Sequence, residues 1–148
     1  SNDFANWGVC VTNTTGVTLD TITVAYNGEQ WRSGGATSAA STLTFAFTTF
    51  ATITADLNAG LSTAATGNDT TGWENVTALS FTGPIALAAA GAIDGNSTAV
   101  GGGRVAISGA VPGLGLANNA RFCVRWSDVD DANADHGLAI DDLVITGE

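Results

Sequence analysis

The densest concentration of reactive side chains is the run Trp126-Ser127-Asp128-Val129-Asp130-Asp131-Ala132-Asn133-Ala134-Asp135-His136-Gly137. Asp128, Asp130, Asp131 and Asp135 share it with the amide of Asn133. Carboxylates this close repel one another unless a cation sits among them, and hard oxygen donors at alternate positions are what Ca²⁺ takes. No thiolate and a single imidazole accompany them, which argues against zinc or copper. Counted from Asp131, the residues Asp131, Asn133, Asp135 and Asp142 fall on the first, third, fifth and twelfth places of an EF-hand loop. His136 stands where that loop needs glycine, Asp142 where it needs a bidentate glutamate, and no helical pattern flanks it. The expectation is a calcium loop of another kind, with a solvated acidic turn as the plain alternative.

A second pair of carboxylates lies within an apolar strand, Ala139-Ile140-Asp141-Asp142-Leu143-Val144-Ile145. Successive strand side chains point to opposite faces, so regular alternation turns one of the two inward. A carboxylate on a buried face needs a cation or hydrogen-bond donors. Arg125 or Arg32 is the expected partner, with Glu29 on the other arginine. Glu29, Arg32, Arg125 and Asp141 are therefore candidate structural anchors, and Asp142 a candidate metal ligand.

Catalytic sets do not assemble. His136 is the single histidine, there is no Gly-x-Ser-x-Gly elbow, and Cys10 and Cys123 both read as strand residues. The expectation is a protein that is not an enzyme. Of the four tryptophans, Trp7 and Trp126 alternate with valine and phenylalanine as core residues do. Trp31 and Trp73 stand at strand-loop junctions and are the candidates for stacking on a sugar ring, against the alternative of half-buried edge tryptophans. Asn-x-Ser/Thr sequons occur at Asn13, Asn68, Asn75 and Asn96, as candidate glycosylation sites that mark surface loops.

The elements that must position these groups are strands. Period-two alternation rich in Thr and Val predicts eight: Gly8 to Asn13, Thr18 to Tyr26, Glu29 to Arg32, Thr42 to Phe50, Trp73 to Leu79, Arg104 to Ile107, Ala120 to Trp126 and Leu138 to Thr146. Turn formers separate them, including Asn27-Gly28, Ser33-Gly34-Gly35 and Gly101-Gly102-Gly103. Ile85 to Ala92 fits a short helix or a surface loop equally well. The fold expected is all-β, a single two-sheet antiparallel jelly-roll sandwich.

In that reading Cys10 and Cys123 occupy the outer faces of two strands, opposite Trp7, Val9 and Val11 in one and Phe122, Val124 and Trp126 in the other. They could form a cross-strand disulfide, or remain two thiols on separate sheets.

Charge narrows the partners. Fourteen Asp and Glu face four arginines and no lysine, for a net charge of -10. Phosphate binding needs clustered Lys and Arg, so nucleic acid is disfavoured, and anionic membrane is disfavoured by the same repulsion. Only 12% of residues are charged, against roughly 25% in typical domains, which leaves a neutral, hydroxyl-rich surface. No stretch approaches the ~20 apolar residues of a membrane span, and no basic, apolar leader opens the chain, so an export signal would already have been removed.

The run Tyr26-Asn27-Gly28-Glu29-Gln30-Trp31-Arg32, with Arg125-Trp126-Ser127-Asp128 and Asp135-His136-Gly137-Leu138-Ala139-Ile140-Asp141-Asp142, resembles an uncharacterised module of bacterial secreted and surface proteins. Asn13-Thr14-Thr15-Gly16 and Asp94-Gly95-Asn96 belong to the same resemblance, which spans roughly Trp7 to Thr146. The Ile-Asp-Asp strand is also similar to that of concanavalin-like and MAM-type jelly rolls. The resemblance implies a sandwich, often with bound calcium, and no enzymatic activity. Cys10 and Cys123 depart from it, so a disulfide would be particular to this chain. Related modules tend to begin further upstream, so either this module is naturally short or an edge strand is missing and comes from elsewhere.

Together these readings predict a secreted, extracellular or cell-surface, calcium-stabilised structural subunit of a filament, sheath or matrix, self-associating through strand edges. The alternative is a carbohydrate-binding module tethering to polysaccharide.

Overall fold

The computed structural model describes residues 4–35, 40–51, 72–129 and 134–148. Among the described residues nine strands form: β1 (Phe4–Thr12), β2 (Ile22–Ser33), β3 (Thr42–Phe50), β4 (Glu74–Asn75), β5 (Phe81–Thr82), β6 (Gly91–Ala92), β7 (Arg104–Val111), β8 (Arg121–Val129) and β9 (Gly137–Gly147). One turn of 3-10 helix, Thr77–Leu79, lies between β4 and β5.

Two antiparallel sheets pack face to face. The first runs β1-β8-β3, with the two short strands β4 and β5 on the far side of β3. In the second, β2 is central, with β9 on one side and β7 and β6 on the other. Pairing β1 with β8 and β2 with β7 is the wrapping of a jelly roll. Strand β9 adds to it on the free side of β2.

Alternation explains the core. Phe122, Val124 and Trp126 of β8 and Leu43, Phe45 and Phe47 of β3 meet Ile22, Val24 and Tyr26 of β2, all buried. Trp126 stands edge-on to Tyr26 and Phe45, with ring centroids 5.2 and 5.4 Å away. Trp7 and Val11 pack on the same core from β1.

Asn27-Gly28, expected as a turn, instead continues β2, which fuses the two strands read on either side of it. The reason is packing: a Cβ on Gly28 would collide with the Phe81 ring, so this glycine makes room for an aromatic. Strand Trp73 to Leu79 shrinks to β4 plus the 3-10 turn. Ile85 to Ala92 forms a loop that ends in β6.

Cys10 and Cys123 form the disulfide, directly opposite each other in the β1-β8 ladder with Cα atoms 4.0 Å apart. Their parity is outward, as alternation requires. The outer face of β8 is nevertheless covered: Cys123 and Arg125 are buried, and the Arg125 guanidinium lies over the Trp73 ring at 4.4 Å.

Candidate functional site

The motif residues converge on β2 and the loops pinned to it. Gln30, fully buried, donates from Nε2 to the Ile85 carbonyl at 2.7 Å and accepts the Ile85 N–H at 2.8 Å, so one side chain replaces a strand partner for that loop. Ser33 Oγ accepts the N–H groups of Gly35 and Leu87. The Tyr26 hydroxyl donates to the Leu79 carbonyl and fixes the 3-10 turn. His136, buried, accepts the Gly34 N–H on Nδ1 at 2.8 Å, and its own N–H donates to Ser41 Oγ. These are structural bonds: each satisfies loop backbone that would otherwise lie beside the core without a partner.

On the solvent side of the second sheet a connected polar network spans three strands. Glu29 is buried, and Arg104, its direct neighbour on β7, holds it at 3.1 Å. The same guanidinium crosses β2 to bind Asp142 on β9, and it also donates to Asn96 Oδ1 at 3.3 Å. Asn27 Nδ2 donates to Asp142 Oδ2 at 3.0 Å, and Trp31 Nε1 donates to Glu29 Oε2 at 3.0 Å.

This arrangement corrects two expectations. The arginine that holds Glu29 and Asp142 is Arg104, whereas Arg125 stacks on Trp73 and Arg32 donates to the Asp135 carbonyl at 3.0 Å. Neither Asp141 nor Asp142 faces inward. Asp142 adopts φ +53°, and the β2-β9 register slips between Ala25 and Asn27, so a bulge turns both carboxylates to solvent. Asp141 Oδ1 accepts the Asp142 N–H at 2.8 Å and braces the bulge.

Of the metal-ligand candidates, Asp130, Asp131 and Asn133 lie outside the described residues. Asp128 lies opposite Ala5, one residue before the end of the β8 ladder, and Asp135 precedes β9. Asp142 stands well up β9, about 20 Å of extended chain from Asp135, and is engaged by Arg104. The EF-hand-like spacing therefore does not close on Asp142. Among the described residues no three His, Cys, Asp or Glu side chains converge to hold a metal ion.

Asn13 is excluded as a glycan acceptor. It is 4% exposed, its amide nitrogen donates to Val17 and Leu116 carbonyls at 2.7 and 2.9 Å, and Thr15 bonds its Oδ1. It anchors the turn after β1. Asn75 and Asn96 are exposed, and Asn68 lies outside the described residues. Trp73 is half-buried with Arg125 over its ring, whereas Trp31 is 44% exposed. A groove of about 680 Å³ between the sheets is lined by Phe47, Glu74, Val76, Val111 and Leu114 among others, and among the described residues Glu74 is the one carboxylate in its wall.

Fold and site together define a disulfide-bonded, two-sheet antiparallel β-sandwich with a polar network on one outer face. The chain matches no family model, no curated protein and no solved structure.

Proposed function

We propose that this chain is a non-catalytic structural subunit of an extracellular assembly, joined to its neighbours through the open edge of β1. One observation carries the reading. Among the described residues β1 pairs with β8 alone, in unbroken register for nine residues from Phe4 to Thr12. It contains no charge, no proline and no bulge, the devices by which soluble monomers blunt such an edge.

The other edges differ. Strand β9 is interrupted by its bulge and two exposed aspartates, and β4 and β5 are two residues long. The eight-residue β7 begins at Arg104, borders Pro112, and lies in the other sheet. A contact of β1 in one copy with β7 in the next is heterologous, and unless its rotation closes a ring the product is a filament. Polymerisation must overcome a net charge of -10 per copy. Calcium held in the Asp128 to Asp135 stretch, without Asp142, would offset part of that repulsion and belongs to this proposal. Secretion belongs to it too: a disulfide is at home in an oxidising compartment, and no described helix is long and apolar enough to cross a membrane.

Light scattering and electron microscopy of the purified protein at rising concentration test the reading. Filaments are expected. Particles that stop at two copies would sink the heterologous contact, and a monomer at high concentration with calcium present would sink the whole.

A further inference from the structure

The outer face of the second sheet holds a feature that assembly through β1 does not use. Trp31 is 44% exposed, yet it is held from several directions. It sits at the register shift between Gln30 and Arg32, and its carbonyl accepts the Ile93 N–H at 2.9 Å. One face of the indole lies so close on Gly95 that a Cβ there would collide with the ring, and Nε1 is bonded to Glu29. Even with these contacts the residue keeps 44% of its surface open to solvent.

Gly95 is held in turn. The Asp94 side chain accepts the Asn96 N–H at 3.1 Å, and the Asp94 carbonyl accepts the N–H groups of Ser97 and Gly103. Glu29, at the Trp31 nitrogen, is a buried charge fixed by Arg104. A lone exposed aromatic needs no explanation, but a buried ion pair and a glycine shelf hold this partly exposed indole in a set orientation. Linked to it through Glu29 and Arg104 are further polar groups: the Asp142 carboxylate, 61% exposed, with Asn27 and Asn96, while the Arg104 side chain that joins them keeps 21% of its surface exposed.

We infer that this surface binds a neutral pyranose polysaccharide, one sugar ring stacking on Trp31 and the hydroxyls of rings further along the chain bonding to Asn96, Arg104 and Asp142. An aromatic platform with a few convergent polar groups is how such ligands are oriented. Charge selects within the class. Glu29, Asp141 and Asp142 outnumber the one guanidinium, so uronic-acid and sulfated chains are repelled. Length selects too, because Asn27 to Trp31 covers about 13 Å of strand, longer than a single sugar ring. A chain of sugars fits better than a monosaccharide.

Affinity electrophoresis in native gels decides it, using mixed-linkage β-glucan, glucomannan and xylan as neutral probes, alginate as the anionic one, and a matrix-free gel as reference. The protein's assembly state is measured alongside, so that failure here leaves the β1 reading standing. Retardation by at least one neutral polysaccharide is expected, with Trp31→Ala weakening it about 10- to 100-fold, the range for deleting a stacked aromatic platform. Trp31→Phe, which keeps a ring but loses the bond to Glu29, retains part of the retardation and guards against misreading a folding defect. No retardation by any neutral probe, retardation by alginate alone, or retardation unchanged in a folded Trp31→Ala protein would each overturn the assignment.

Discussion

If β1 is the assembling edge, the direction of its backbone groups makes a sharp test available. The Cα atoms of Cys10 and Cys123 are 4.0 Å apart, close to the ~4.5 Å of a non-hydrogen-bonded antiparallel pair and well short of the ~5.5 Å of a bonded one. Cys10 therefore turns its N–H and C=O away from β8. Alternation then gives Asn6, Gly8 and Thr12 the same outward direction, while Trp7, Val9 and Val11 bond to β8. Proline at Gly8 removes an N–H that β8 never uses, the placement edge strands tolerate. In an assembled ladder the loss is one hydrogen bond, about 1 kcal/mol net, plus about 1–3 kcal/mol for the carbonyl it strands on the neighbour. The sum, about 2–4 kcal/mol, raises the critical concentration for assembly roughly 30- to 1000-fold. Proline at Val9 does the reverse, breaking the β8 ladder and lowering the melting temperature. Scattering against concentration reads the first effect and circular dichroism the second. Gly8→Pro protein that folds and polymerises at the wild-type concentration refutes the edge assignment.

Three further outcomes are expected. Reduction of Cys10–Cys123, which closes a loop of sequence separation 113, lowers stability by about 4–5 kcal/mol in the chain-entropy model; denaturant melts with and without reductant measure it, and superimposable curves would contradict it. Burial pushes the Tyr26 hydroxyl above its ordinary value of 10.0, so the folded state keeps a proton that the unfolded state gives up: this contribution is whole below pH 10 and drains away as pH rises through the folded value. Tyr26→Phe, lacking the bond to Leu79, is then less stable at pH 7 but loses less stability between pH 9 and 12; a wild-type alkaline slope in the variant would remove Tyr26 from the account. Chelator lowers the melting temperature of metal-loaded protein, by linkage of about 2.7 kcal/mol at one hundred times the dissociation constant, and an unmoved transition discards calcium.

What the sequence conveys about this fold is its local periodicity. Strands β1, β3, β8 and β9 follow from alternation, and so does the outward parity that places Cys10 against Cys123. Where a local rule met a long-range contact, the contact won. Asn27-Gly28 carries a turn signature, but its glycine answers to Phe81, more than fifty residues away. Asp141-Asp142 should split between faces, but a bulge with a left-handed Asp142 cancels the alternation. Arg104 follows three glycines and gave no sign of binding Glu29 and Asp142, because the chain must first bring β7 and β9 to opposite sides of β2. Gln30 and His136 were equally silent: their partners are backbone groups of distant loops, which have no signature in sequence.

The two surfaces proposed here reinforce each other through geometry. The assembling edge of β1 belongs to the first sheet, and Trp31 lies on the outer face of the second, so pairing at β1 leaves the indole uncovered. A filament of such copies repeats the Trp31 platform at every subunit. A polysaccharide repeats its sugar in the same way, and once one ring is bound the next binding event is intramolecular. Avidity of about 10²–10⁴ over the single site then follows without any new contact, provided the spacing lets both ends engage. On that proposal a shallow platform with one stacked ring is sufficient for a polymer that meets another polymer. If both proposals hold, a single strongly held aromatic can serve on this face, where an isolated module would need a deeper cleft.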